Sequence, residues 1–118
     1  MRHQSGRKRL NRRSGNRQAM LRNQAIHFIT YGCLQTTKAR IKVVQQFTEK
    51  LVTIARKGYE FNTIRRVKQL IPYNDKAVVK LIKEIAPKYV ERPGGYTRVI
   101  SLGIRPSDTA KIARLEWV

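Results

Sequence analysis

Apolar positions fall into helical spacing soon after residue 18. Leu21, Ala25, Phe28 and Ile29 share one face of a helix of about sixteen residues, with Arg17 and Arg22 off that stripe. Gly32 is placed to end this helix in a left-handed conformation. Cys33-Leu34-Gln35-Thr36 suits a short strand, and Thr37 suits the N-cap of a second helix. The stripe of that helix is Ile41, Val44, Phe47, Thr48, Leu51, Ile54 and Ala55, the most regular pattern in the chain, with Gly58 as its stop. Phe61, Ile64, Val67 and Leu70 or Ile71 predict a third helix closed by Pro72. Asn74 or Asp75 caps a fourth, which carries Val78, Leu81, Ile82 and Ile85 as far as Pro87.

The pattern then changes period. Arg92-Pro93-Gly94-Gly95 is turn chemistry, and Thr97 to Leu102 is rich in β-branched residues, as a strand requires. Gly103 to Asp108 reads as a connecting loop. From Ile112 to Val118, Ala113, Leu115 and Trp117 alternate with Arg114 and Glu116, the signature of a half-buried strand. The expected fold is α+β: about four helices packed on a small, mostly antiparallel or mixed three-stranded sheet.

Charge alters this picture at one end. The 118 residues include 26 Lys/Arg against 7 Asp/Glu, a net charge of +19. Eleven of the bases precede Glu49, the first acid. A small body so charged repels itself unless a polyanion neutralises it. Between Arg2 and Gln18 the only apolar residue is Leu10. Such a segment cannot bury enough surface to offset the entropy of ordering it. Residues 1–16 are therefore expected to form a basic arm, disordered without RNA, and residues 17–118 a single globular domain. A transit peptide would want apolar residues at helical spacing, which the arm lacks.

Composition also excludes whole classes. At 41% apolar the chain is too hydrophobic for complete disorder, and no run of about 18 apolar residues can span a membrane. The single Cys33 rules out an internal disulfide and a Cys-based metal site. His3 lies on the arm and His27 within the first helix, neither near a Cys, Asp or Glu at ligand spacing. No Walker or Gly-x-Gly-x-x-Gly motif is present. No catalytic residue, metal or cofactor is expected, nor any small-molecule substrate.

The arm is Arg-rich: among the first 22 residues Arg outnumbers Lys by seven to one. Guanidinium forks bind phosphate bidentately and stack on bases, which an ammonium cannot do. A membrane surface would want apolar anchors beside the bases, so nucleic acid is the favoured partner. Arg9, Arg12 and Arg13 join the candidates on this ground, and Lys38, at the start of the second helix, is a further RNA-binding candidate. A second candidate is Arg92 to Arg98. Its paired glycines serve a turn, or else they let the backbone approach phosphate while Tyr96 stacks on a base.

Six blocks then occur in order: Met1-Arg2-His3, Ser5-Gly6-Arg7-Lys8, Arg17 to Asn23, Thr36-Thr37, Glu49 to Ala55, and Arg92 to Arg98. Together they resemble the bacterial-type large-subunit ribosomal protein L-seventeen family over nearly the whole chain. Asn16 stands where that family usually has His, and Lys38 to Val43 lacks the family's acid in its second helix. Tyr59 to Tyr73 matches poorly. The resemblance, whose pattern begins at Met1, implies no transit peptide. It implies an α+β structural constituent of the large ribosomal subunit, without catalysis or cofactor, in the cytoplasmic or an organellar ribosome. Its partners would be large-subunit (23S-type) rRNA near the exit-tunnel rim and neighbouring large-subunit proteins. Carried over, the RNA-facing residues are Arg2, His3, Ser5, Gly6, Arg7, Lys8, Arg17, Arg22, Asn23, Arg92, Gly94, Gly95, Tyr96 and Arg98. The alternative is a free DNA- or RNA-binding regulator, which would want a recognition helix with polar base readers.

Overall fold

The computed structural model describes residue 10 and residues 12–118. It contains α1 (Ser14–Tyr31), β1 (Cys33–Thr37), α2 (Lys38–Ala55), α3 (Phe61–Leu70), α4 (Asp75–Lys80), β2 (Thr97–Ile104) and β3 (Lys111–Trp117). All four expected helices and all three strands are present. Most of the expected arm, 1–16, lies outside the described residues, while Ser14 to Asn16 form the first turn of α1.

Local chemistry accounts for most element boundaries. Gly32 ends α1 with φ of 80°, and its N–H returns to the Phe28 carbonyl at 2.8 Å. Thr37 precedes α2 in extended conformation, yet its side chain makes no capping bond. It is the last residue of β1, paired with Ile112, so the strand sets the entry to α2. Asn74 does cap α4, its Oδ1 accepting from the Ala77 N–H at 3.1 Å. Beyond Lys80 the helix widens into a π turn over Leu81–Ile85 and then tightens into a 3-10 turn over Ala86–Tyr89. Pro87 explains this. It has no N–H for the Lys83 carbonyl, and its ring crowds that carbonyl, so regular α-helix cannot continue.

The sheet is wholly antiparallel, in the order β1-β3-β2. Cross-strand register places Leu34, Leu115 and Val99 in one row and Thr36, Ala113 and Ser101 in the next. These rows face the helices. The opposite face carries Gln35, Arg114 and Ile100 beside Cys33, Glu116 and Arg98. Strand β2 runs two residues further than expected, to Ile104, with a bulge between Ser101 and Gly103. At the hairpin tip Asp108 accepts from Arg105 Nε (2.9 Å) and Nη2 (2.6 Å) and from the Ala110 N–H (3.2 Å).

Two cores form. One lies between sheet and helices: Phe28, Leu34, Ile41, Val44, Ala113 and Leu115. The other is helical, built around Leu51, Val52, Val67, Leu81 and Ile82, and Tyr96 is part of it. Trp117 touches both, with its ring stacked on Phe28 at 4.3 Å between centroids. Helix α2 contributes Ile41 and Val44 to the first core and Leu51, Val52 and Ala55 to the second. Within its expected stripe Phe47 and Ile54 are only half-buried, while Val52 is wholly buried. Phe61, expected on the stripe of α3, is 76% exposed, with the Arg65 guanidinium 5.7 Å from its ring centroid. It opens the helix, and Thr63 and Val67 supply the buried face instead.

Phe28→Ala should be severe, because that ring is fully buried between β3 and α2. A loss of about 3–5 kcal/mol is expected in denaturant melts, and a midpoint near wild type would contradict the packing. The tip makes a separate prediction. Hydrogen bonds from Arg105, then from the Ala110 N–H, hold the Asp108 carboxyl down at about 2. Its depressed value means that the stabilising ion pair is fully present above an unfolded value of about 3.9 and fades as pH falls through about 2. Carboxyl-carbon NMR titration should find that low midpoint, and Arg105→Met should return it towards 4. A wild-type midpoint near 4 would show the tip to be open.

Candidate nucleic-acid interface

The described candidates fall into three places. At the start of α1, Arg12 and Arg13 are exposed and Arg17 is half-buried, with no acid in the first helical turn. The positive end of the helix adds to their field. One turn further on, Arg22 is half-buried and Asn23 exposed. Arg22 Nη1 donates to the Tyr73 hydroxyl at 3.3 Å. Arg2, His3, Ser5, Gly6, Arg7, Lys8 and Arg9 lie outside the described residues.

The second place is the start of α2. Lys38 lines a cleft of about 500 Å³ with Thr37, Ala39, Lys42, Ala110 and Lys111. Lys42 and Lys111 stand beside Lys38 there, and only the pairing of β3 with β1 brings Lys111 to this end of the helix.

The third place is the loop from Arg92 to Arg98, and here α2 decides the geometry. Gln45, Glu49, Thr53 and Arg56 recur at helical spacing along one edge of that helix. Glu49 Oε1 accepts from the Thr97 hydroxyl at 3.0 Å and from the Thr97 N–H at 3.3 Å. Gln45 Nε2 donates to the same hydroxyl at 3.2 Å. Arg56 donates through Nη1 to the Tyr96 hydroxyl at 2.9 Å and through Nη2 to the Val90 carbonyl at 2.8 Å. Thr53 Oγ1 lies 3.2 Å from the Tyr96 hydroxyl and donates to the Glu49 carbonyl at 3.0 Å. Both ends of the loop are thus fastened to one helix.

This corrects the expectation for Tyr96. Its ring is 1% exposed and meets Tyr89 edge-on at 5.4 Å, so it cannot stack on a base. It is the anchor of the loop. Arg92 and Gly95 are exposed around it and Gly94 is half-buried. Gly95 has φ of 63°, the left-handed region, whereas Gly94 does not. The Arg92 guanidinium lies 6.0 Å from the Tyr89 ring centroid. Burial pushes the Tyr89 phenol up, and Arg92 partly opposes it. Arg98 is exposed but shares Glu116 with Arg114, at 3.3 and 2.9 Å. One carboxylate therefore offsets two guanidiniums on that face.

Among the described residues no His/Cys/Asp/Glu group could hold a metal, and no helix is long and apolar enough to cross a membrane. A family model described as ribosomal protein L17 matches residues 20–118, from mid-α1 through the whole sheet. The chain belongs to the ribosomal protein L17 family. It is similar to the large ribosomal subunit protein bL17 of Geotalea daltonii, at 42% identity over all of this chain and 64% of that protein. It thus spans less than two thirds of that relative's length. The bL17 proteins of Sulfurimonas denitrificans and Campylobacter lari are 42% and 44% identical, with 100% and 99% of their lengths covered. The family match includes the anchored loop and its α2 partners.

The loop yields a paired prediction. A Cβ at either glycine would meet nothing within 4 Å, so any cost at Gly95 comes from its backbone alone. Gly95→Ala should lower stability by about 1–2 kcal/mol, with the helices intact by circular dichroism. Gly94→Ala should be nearly neutral. Equal damage from both substitutions would show that φ is not the cause.

Proposed function

We propose that this chain is a structural constituent of the large ribosomal subunit that binds large-subunit (23S-type) rRNA near the exit-tunnel rim, supports subunit assembly and translation, and carries out no catalysis. Its partners on this reading are that rRNA and neighbouring large-subunit proteins, within the ribosome of the cytoplasm or of an organelle. The observation that carries it is family membership. Relatives named as large ribosomal subunit proteins align with this chain from end to end.

The physical features support the same reading. Residues 1–13 hold six bases and no acid, and they lead straight into the exposed start of α1. About fifteen extended residues reach roughly 50 Å, enough to follow RNA well beyond the folded body. Arg12, Arg13, Arg17, Arg22 and Asn23 continue the arm, Lys38 marks the cleft, and Arg92, Gly94, Gly95 and Arg98 form the anchored loop. Binding then combines charge neutralisation with recognition of RNA shape.

Removing residues 1–13 deletes Arg2, Arg7, Lys8, Arg9, Arg12 and Arg13, and none of the buried core residues among those described. The body should fold with unchanged stability. Titrated against large-subunit rRNA at several salt concentrations, its slope of log K against log salt should flatten by about four to five if all six bases meet phosphate. An unchanged slope would remove the arm from the interface. Cosedimentation with large subunits through high salt separates the ribosomal reading from a free regulator, which would wash off.

A further inference from the structure

We propose that the outer face of α4, together with the two tyrosines that flank it, is a second RNA contact, one that takes unpaired nucleotides. This rests on the ribosomal reading above and extends it to a surface on the helical side of the molecule.

Helices α1 and α4 run side by side in the same direction. Arg22 meets the Tyr73 hydroxyl just before α4, and at its end Lys80 Nζ donates to the Thr30 carbonyl at 2.8 Å. The outer face of α4 forms a cleft of about 370 Å³ lined by Lys76, Val79, Lys80 and Lys83, with Asp75 and Glu84 at its edges. Asp75 already faces Lys68 at 3.7 Å, so the three lysines outweigh the remaining acid. Tyr73 stands at one end, 61% exposed, with the Arg22 guanidinium 5.7 Å from its ring centroid. Tyr59 stands at the other, 54% exposed, with Lys83 Nζ 4.3 Å from its ring centroid.

Large exposed rings beside cations suit a single-stranded nucleic acid. The ring face stacks on a nucleobase while the cation meets the neighbouring phosphate. Duplex RNA, read through its shape and backbone, would have no use for the rings. An apolar peptide would need a continuous greasy groove, and Val79 is the only exposed large apolar side chain in the cleft. From Tyr73 to Lys83 is roughly 15 Å along the helix, room for a few nucleotides.

The test uses the full chain and a full-length large-subunit rRNA transcript, with an unrelated transcript of equal length as control. Tyr59→Leu with Tyr73→Leu should leave the melting temperature unchanged and weaken rRNA binding about 30-fold or more, without altering the salt slope. The Tyr→Phe pair keeps both ring faces and should bind near wild type. Lys76→Gln, Lys80→Gln and Lys83→Gln together should flatten the slope by about two. Should wild type fail to prefer the rRNA, the ribosomal reading falls and this surface with it. Should wild type bind tightly and the double leucine variant bind equally well, this surface alone is overturned. A photo-cross-linking side chain at position 79 in assembled subunits should label rRNA, and labelling of a neighbouring protein instead would refute the assignment.

Discussion

One rod shared by two cores sets the rest of the structure. Helix α2 gives Ile41 and Val44 to the layer beneath the sheet and Leu51, Val52 and Ala55 to the helical cluster. A helix buried on both sides has only narrow edges left for polar groups. One of those edges carries Gln45, Glu49, Thr53 and Arg56, which bond to Tyr96, Thr97 and Val90. Helix α2 therefore fixes the place where the helical half of the chain crosses into strand β2. Trp117 seals the same crossing from the other side, stacked on Phe28, while the Val118 N–H donates to the Tyr96 carbonyl at 2.9 Å.

That fastening divides the loop into two kinds of residue. Tyr96 and Thr97 face inward and are consumed by the fold, whereas Arg92, Gly95 and Arg98 remain outside. A cationic loop held this way is already ordered, so any partner that met its exposed side chains would cost it less conformational entropy than a free segment would lose.

Much of this was legible in the sequence. Period-3.6 stripes located all four helices because each buries one face, and Gly32 marked a left-handed stop that φ of 80° matches. The α+β class followed from the change of period after Pro93. Two aromatics were misjudged for a common reason: sequence shows a ring's neighbours in the chain, not what covers it. Phe61 fits the α3 stripe by spacing, but the first turn of that helix projects beyond the core. Tyr96 lies between a Gly-Gly turn and Arg98, which reads as an RNA platform. Its actual environment comes from Thr53 and Arg56, about forty residues earlier, and no local pattern reveals that. The clue lay in α2 itself, where Gln45, Glu49, Thr53 and Arg56 repeat at helical spacing beside the apolar stripe.

The same limit hid the helical face. Tyr59, Tyr73 and Lys83 belong to the stretch where the family pattern is weakest and to the helix after it, and each looks ordinary alone. They become a surface only because α4 lies along α1 and Pro87 forces a wide turn at Lys83. Charge placement then follows from burial. With both cores apolar, apart from three threonines, every described base stays at least partly at the surface, and few acids are there to meet it. A body built this way folds by its hydrophobic stripes and is left with uncompensated positive charge on several faces.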